Sequence, residues 1–312
     1  MKLIPLILIL FTLFSCALDE RRNTSDFETV DFSRKFHTPK VETGVAGEDI
    51  YGPSTESSSS INKKNFQKQA VVALDLSPAL YQSFSYLKLI SDLEKKKINI
   101  NIIISSGFSA IIAALYAKYR SANRLDWKAY ALIRKLEKEK KVFSKSWLNT
   151  IELFLKEEFN ETRLEQLRLL IAIPTYNKKD NKLILKHTGP IVETIMTSLR
   201  FQRSRESFLL NPSVSYFGKE KVFGADKVFR VTSFPKTFKL KTPSGFVLGV
   251  YSKLAGFIYY QTDKYMELSS EKFIYIDKIP NISDLMSSVS EPSEVISLKI
   301  LNSIEEWTNK NN

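Results

Sequence analysis

The chain has 312 residues, and its 46 Lys and Arg against 34 Asp and Glu give a net charge of +12 with histidine neutral. Hydrophobic residues make up 43% of the sequence, which is enough for one or two domains with a sizeable core. One cysteine excludes an internal disulfide, and with two histidines it provides too few ligands for a zinc site of about four. Only ten glycines are present, which argues against a glycine-rich phosphate or oxyanion loop.

The first segment of the chain is typical of an export signal. Lys2 precedes an apolar run, Leu3–Phe14, which is shorter than the ~20 residues that span a bilayer. The residues Leu13-Phe14-Ser15-Cys16 resemble the lipobox of bacterial lipoproteins, whose cysteine carries a diacylglycerol after cleavage. The resemblance implies a signal peptide at 1–15 and a lipid-anchored envelope protein, periplasmic or surface-facing. An ordinary secretory signal is the alternative.

Residues 16–65 are predicted to be the lipidated cysteine and a flexible tether. The segment Ala17–Lys64 contains three of the ten glycines, the serine run Ser57–Ser60, many charges and no sustained apolar period. Such a composition cannot bury enough apolar surface to offset the entropy lost on ordering. The folded domain is therefore predicted at 66–312.

The excess positive charge is scattered, with no basic cluster beyond Lys95–Lys97 and Lys138–Lys141. We assign it chiefly to solvated surface, with attraction to anionic lipid headgroups as the alternative. No nucleic-acid partner is expected for an exported lipoprotein.

The folded domain opens with the pattern of a βαβ unit. Its predicted elements are, in order, a strand at Ala70–Leu76, a helix to Lys97, a strand at Ile98–Ile104, a turn at Ser105–Ser109 and a helix at Ala110–Tyr119. Ser77-Pro78 is predicted to supply the N-cap and first residue of the first helix.

Further elements follow in alternating order. The sequence predicts helices at Asp126–Lys141, Ser146–Phe159, Thr188–Leu199, Ser244–Tyr260 and Pro292–Trp307, and strands at Arg168–Pro174, Leu183–Lys186, Val228–Thr232 and Phe273–Ile276. Trp127 and Trp147 are expected in the packing faces of their helices. These elements form one domain of about 240 residues.

The sequence from Ala73 to Ala117 resembles the patatin-like phospholipase family without a gap. The stretches that carry the resemblance are Leu93-Glu94-Lys95-Lys96-Lys97-Ile98 and Ala114-Leu115-Tyr116-Ala117, with weaker ones at Gly189-Pro190 through Thr197-Ser198, Gly224-Ala225-Asp226-Lys227-Val228 and Lys272–Leu285. The resemblance implies a three-layer α/β/α fold with a mainly parallel central sheet.

The catalytic residues of that family are missing. Its enzymes use a Ser-Asp dyad, with the serine in a Gly-x-Ser-x-Gly elbow and an oxyanion loop near Gly-Gly-Gly-x-Arg-Gly. Here the elbow puts Gly107 at the nucleophile position. The oxyanion loop contains Pro78, which lacks an N–H, side chains at Ala79 and Leu80, and Gln82 in place of arginine.

The aspartate of the dyad is placed at Asn211, in Asn211-Pro212-Ser213, where an amide cannot act as a base. These losses predict a catalytically inactive patatin-like domain with a binding or scaffolding role. Separately, no metal or cofactor is expected. The expected partners are the membrane through Cys16, a lipid or acyl-chain ligand, and an envelope protein. A purely structural envelope protein that faces anionic membrane is a further possibility.

An active lipid acyl hydrolase with a displaced nucleophile, Ser106 or Ser109, is the alternative. Both serines also suit the N-cap of the following helix. His187 is predicted to be a surface or hairpin residue, and Tyr81 and Tyr86 are predicted to pack in the core or at its rim.

Overall fold

The structure is a computed structural model that describes residues 69–139, 141–203, 211–213, 222–234, 239–240, 265–269, 273–274 and 278–311. The predicted signal peptide, Cys16, the tether and the predicted helix at Ser244–Tyr260 lie outside these residues. Within the described ranges, no helix has the length and apolar character needed to cross a bilayer.

A six-stranded sheet lies at the centre of the domain. Its strands are β1 (Val72–Leu76), β2 (Ile102–Ser105), β3 (Leu170–Asn177), β4 (Lys182–Lys186), β5 (Lys227–Thr232) and β7 (Met266–Glu267). Their order across the sheet is β4-β3-β2-β1-β5-β7, and β4 is antiparallel to β3 whereas the other neighbours are parallel. A separate parallel pair consists of β6 (Lys239–Leu240) and β8 (Phe273–Ile274).

Helices flank the sheet. They are α1 (Tyr86–Lys95), α2 (Ser109–Tyr119), α3 (Ala122–Leu136), α4 (Lys145–Phe159), α5 (Ile191–Leu199), α6 (Ile282–Ser288) and α7 (Ser290–Asn311), with 3-10 helices at Leu80–Ser85 and Leu164–Gln166. The prediction of an α/β fold with a mainly parallel central sheet is confirmed.

The two faces of β1 belong to different apolar clusters because successive side chains alternate across a strand. Leu74 and Leu76 lie in the main core with the helices α1, α2, α4 and α5. Ala73 packs on the other face with Ile102, Ile104, Ala172 and Val222.

The prediction that Ser77 and Pro78 open a helix is wrong. The Ser77 hydroxyl shares a hydrogen bond of 2.7 Å with the Tyr86 hydroxyl and donates to Thr232 Oγ1 at 3.1 Å. The 3-10 helix begins only at Leu80, and α1 begins at Tyr86. The Ser77 hydroxyl is thus used for tertiary hydrogen bonds and not for capping a helix, because the buried hydroxyls of Tyr86 and Thr232 need partners.

Two of the three tryptophans, those expected in packing faces, differ in their environment. Trp147 on α4 is fully buried, and its Nε1 donates to the Tyr81 hydroxyl at 2.8 Å, whereas Trp127 on α3 is 79% exposed. The prediction of a packing role is therefore wrong for Trp127. Leu125 is buried, and Trp127 lies two residues later, about 200° further around the helix, so its side chain points to the opposite side.

Asp75 is a buried carboxyl group in the sheet. It pairs in register with Arg230 on β5, and the Asp75 Oδ2 and Arg230 Nε atoms are 3.5 Å apart. Burial raises the pKa of Asp75 to about 7, and the positive charge of Arg230 lowers it only in part.

We predict that Asp75→Asn removes part of the pH dependence of stability. An aspartate carboxyl ordinarily has a pKa of 3.8, whereas the pKa of Asp75 in the folded protein is about 7, so the folded protein binds the proton more tightly than the unfolded chain. The contribution of Asp75 to the free energy of unfolding is therefore full below about pH 4 and is lost as the pH rises through about 7.

Urea denaturation of both proteins across this range checks the prediction, since only their difference reports on Asp75. The variant should gain stability relative to the parent as the pH rises. A difference that is the same at pH 4 and pH 8 would contradict the assignment.

Candidate functional site

The turn between β2 and α2 contains a residue with positive φ where a strand meets a helix. Gly107 has φ of +61°, which is left-handed backbone that costs an ordinary residue about 1–2 kcal/mol. A strained residue between a strand and a helix is the position that exposes a serine nucleophile in such folds. Here the residue has no side chain, and its N–H donates to Ser198 Oγ at 3.1 Å.

Ser213 occupies the space where a side chain on Gly107 would lie. A Cβ atom built on Gly107 would be 2.8 Å from both the Cβ and the Oγ of Ser213, which is closer than real Cβ contacts. Both residues are buried. The turn and the segment Asn211–Ser213 therefore pack in direct contact, and a larger residue at position 107 would overlap with Ser213.

Asn211 holds this contact in place. Its Nδ2 donates to the Leu199 carbonyl at 2.9 Å, and its Oδ1 accepts from the Ser213 N–H at 3.0 Å and from the Ser213 hydroxyl. Asn211 is fully buried. An aspartate here would turn a carboxylate oxygen towards the Leu199 carbonyl, so the site is built for an amide donor.

The sequence-based placement brings Gly107 and Asn211 to one site, and the structure puts these two positions in the same cluster. Ser198 and Ser213, which complete the cluster, were not identified as site residues from the sequence. Ser198 lies near the end of α5, and Ser213 lies in Asn211-Pro212-Ser213. No local sequence signal distinguishes them, because the contact joins distant parts of the chain.

The two alternative serines lie on either side of the turn and are both buried. Ser109 Oγ donates to the Ser77 carbonyl at 2.5 Å and shares a hydrogen bond of 2.8 Å with Ser83 Oγ. Ser106 Oγ has no hydrogen-bond partner among the described residues. Across those residues, neither hydroxyl is bonded to a carboxylate.

The expectation that these serines cap the helix is wrong. The N-cap of α2 is Phe108, and its side chain makes no capping bond. Ser109 is the first helical residue, and its hydroxyl reaches back to the Ser77 carbonyl instead. The buried Ser77 carbonyl, just after β1, needs a hydrogen-bond donor, and the Ser109 hydroxyl supplies it instead of capping α2.

The segment at the oxyanion-loop position is filled with side chains. Ala79 and Leu80 are buried, and Leu80 adopts a positive φ of +45°. Gln82, in place of the loop arginine, is buried and lines a cavity of about 290 Å³ with Lys278, Ile279, Pro280, Asn281, Asp284 and Leu285. The cavity therefore borders this segment at Gln82.

The remaining residues considered from the sequence lie in ordinary packing positions. His187 follows β4, is half-buried and packs near Phe223 with ring centroids 5.2 Å apart. Tyr81 and Tyr86 are buried, and burial raises the pKa of each hydroxyl to about 12. In the ranges that the structure covers, no group of three His, Cys, Asp or Glu residues is placed to hold a metal ion.

The chain is similar in fold to several solved structures. VipD from Legionella pneumophila has 9% sequence identity and a TM-score of 0.38 over 76% of this chain and 67% of VipD. ExoU, in the heterodimeric ExoU-SpcU complex from the type III secretion system of Pseudomonas aeruginosa, has 15% identity and a TM-score of 0.41. That match covers 75% of this chain and 52% of ExoU, so this chain spans about half of that protein. No family model and no curated protein match the sequence.

We predict that Gly107→Ala destabilises the protein by about 2–5 kcal/mol. About 1–2 kcal/mol is expected from the left-handed backbone, and a further 1–3 kcal/mol from the overlap with Ser213. Gly224→Ala is the matched control, because Gly224 has a similar φ of +68° and nothing lies within 4 Å of its Cβ position. The control should show the backbone cost alone.

Urea denaturation measures both variants. The double variant Gly107→Ala/Ser213→Gly relieves the overlap. Its loss of unfolding free energy should therefore be smaller than the sum of the losses in the two single variants. Equal costs at Gly107 and Gly224, with no recovery, would contradict the packing of Ser213 on the turn.

Proposed function

We propose that this chain is an envelope lipoprotein whose patatin-like domain is catalytically inactive and has a binding or scaffolding role. The observation that carries the proposal is the contact at Gly107. Its Cβ position lies 2.8 Å from Ser213, so the elbow has neither a nucleophile nor the space for one.

The other two parts of a hydrolase site support the same proposal. Asn211 is an amide whose Nδ2 donates to a carbonyl, and it has no basic pair of electrons to accept a proton from a serine. Pro78 has no N–H, and the buried side chains of Ala79 and Leu80 fill the loop that would surround an oxyanion. Nucleophile, base and oxyanion donors are absent together from these positions.

The alternative, an active acyl hydrolase, depends on Ser106. Its hydroxyl lacks a partner among the described residues, whereas the hydroxyl of Ser109 is engaged with Ser77 and Ser83. A serine nucleophile needs an adjacent base to remove its proton. Since Ser106 is fully buried and no described carboxylate bonds to it, the inactive domain is the better-supported proposal.

The packing at the turn also bears on the kind of partner. Gly107, Asn211 and Ser213 are buried, which favours a partner bound at the surface of the domain over an acyl chain bound at the turn. The lipobox-like residues Leu13–Cys16 support an anchor in an envelope membrane. An envelope protein, or the membrane itself, is then the proposed partner.

We predict that the protein does not react with a fluorophosphonate probe and does not hydrolyse short-chain esters. The physical reason is the lack of a hydroxyl activated by a base at the turn. Ser106→Ala and Ser109→Ala are the control variants. Covalent labelling of the parent that disappears in Ser106→Ala would contradict the proposal and identify a hydrolase with a displaced nucleophile.

We predict that Cys16 carries the lipid. In a bacterium that processes lipoproteins, metabolic labelling with palmitate should mark the parent chain and the Ser15→Ala control, and Cys16→Ser should abolish the label. The parent should remain with the membrane fraction after a salt wash. An unlabelled parent chain that is released in soluble form would instead support an ordinary secretory signal.

A further inference from the structure

We propose that the exposed face of α3 binds an anionic lipid surface. Trp127 is 79% exposed and Tyr130 is 46% exposed, and the two aromatic residues lie one turn apart on the same helix. Single exposed apolar residues are common, whereas adjacent ones rimmed by polar residues mark contact sites for proteins or membranes. Trp127 and Tyr130 are adjacent on the helix surface, so we take them as the centre of such a contact site.

The face is set by the helical period of α3. The buried side of the helix consists of Ala122, Leu125, Ala129, Leu132, Ile133 and Leu136. The opposite side consists of Asn123, Arg124, Trp127, Tyr130, Ala131 and Arg134, all exposed. A cavity of about 530 Å³ is lined by residues of this side together with Asp126. We call these six exposed residues the α3 face.

The charge of the α3 face is complementary to an anionic surface. The helix carries four basic residues, Arg124, Lys128, Arg134 and Lys135, and one acidic residue, Asp126, but glutamates of α4 offset two of the cations, so the positive charge of the α3 face comes from Arg124 and Arg134. Lys128 and Lys135 are paired with Glu158 and Glu157 of α4, each at 2.5 Å.

The two arginines of the α3 face are differently placed. Neither Arg124 nor Arg134 forms an ion pair with any part of the chain that the structure describes. Their guanidinium groups are therefore available, and guanidinium binds phosphate through paired N–H donors.

The combination of residues favours a bilayer over a protein partner. Tryptophan and tyrosine are enriched at membrane–water interfaces, where their rings lie at the level of the lipid headgroups. Basic residues beside them bind the lipid phosphates. Removal of the predicted signal peptide takes away Lys2 and no acidic residue, so the anchored chain carries 12 − 1 = +11, which adds long-range attraction to such a surface. A protein hot spot uses the same aromatic residues, so a protein partner is tested as the competing outcome.

The predicted tether would bring the α3 face within reach of a membrane, a step that rests on the proposed lipid anchor. The flexible tether that the sequence predicts at 16–65 has 50 residues, and a flexible chain of that length has an end-to-end distance of about 40 Å. With the anchor in the membrane, binding of the α3 face to the same membrane is intramolecular, so even a weak contact is favoured.

Tryptophan fluorescence quenching by brominated lipid tests the proposal. The full chain, as produced in a lipoprotein-processing bacterium, is incorporated into phosphatidylglycerol–phosphatidylcholine vesicles with brominated acyl chains. Trp127→Phe is compared with the control Trp307→Phe, which removes a tryptophan from α7. We expect quenching in the parent and in Trp307→Phe, and loss of that quenching in Trp127→Phe.

A charge variant and a flotation assay complete the experiment. Arg124→Glu/Arg134→Glu keeps all tryptophans and should show reduced quenching in the anionic vesicles. Flotation with the vesicles at high salt, which screens the electrostatic contact of the α3 face, reports on the anchor alone. A chain that does not float at high salt disproves the anchor, and the same quenching contrast is then measured on chain added to the vesicles at low salt.

Quenching that is equal in Trp127→Phe and Trp307→Phe, or absent in every protein, would overturn the proposal. A second result would also overturn it: without vesicles, Trp127 fluorescence is protected from quenching by acrylamide, and dilution of the protein removes the protection. That result would show that another protein molecule covers the α3 face.

Discussion

The packing of Ser213 against the bare backbone of Gly107 is the contact on which this site depends. The left-handed turn at Gly107 brings the β2–α2 connection close to Asn211–Ser213, and the missing side chain leaves room for Ser213 at 2.8 Å from the Cβ position. Asn211 then fixes the contact by bonding to both Ser213 and Leu199. A position that would hold a reactive group in a hydrolase is here part of the packed interior.

Hydrogen-bonded hydroxyl groups also lie along the carboxyl ends of the central strands. In parallel α/β sheets these ends are where ligands usually bind, because the loops that follow them leave a crevice. Here several hydroxyl groups at that edge bond to one another: Ser77 bonds to Tyr86 and Thr232, and Ser109 bonds to Ser83. The buried hydroxyls of Ser105, Ser106 and Ser233 have no hydrogen-bond partner among the described residues. The bonded hydroxyls make part of the edge rigid.

Local patterns account for much of the fold and for less of the site. The sequence predicts β1, β2 and the span of α4 to within a few residues, since apolar period and short strand length are properties of neighbouring residues. Ser77 and Trp127 were placed wrongly for different reasons. The hydroxyl of Ser77 is used by a distant strand, and Trp127 is apolar yet lies on the outer side of its helix. The contact of Ser213 with Gly107 joins remote segments, so no spacing in the sequence encodes it.

Returning a serine to the turn tests the central claim most directly. In Gly107→Ser/Ser213→Gly the nucleophile is present and the overlap at 2.8 Å is relieved, so that only the base and the oxyanion donors are missing. Mass spectrometry after incubation with a fluorophosphonate probe measures whether the new serine is activated. We expect an unlabelled, folded protein, because Asn211 cannot accept the proton and Pro78 offers no N–H. Stoichiometric labelling at position 107 would contradict it, since the site would then retain a working base and oxyanion hole.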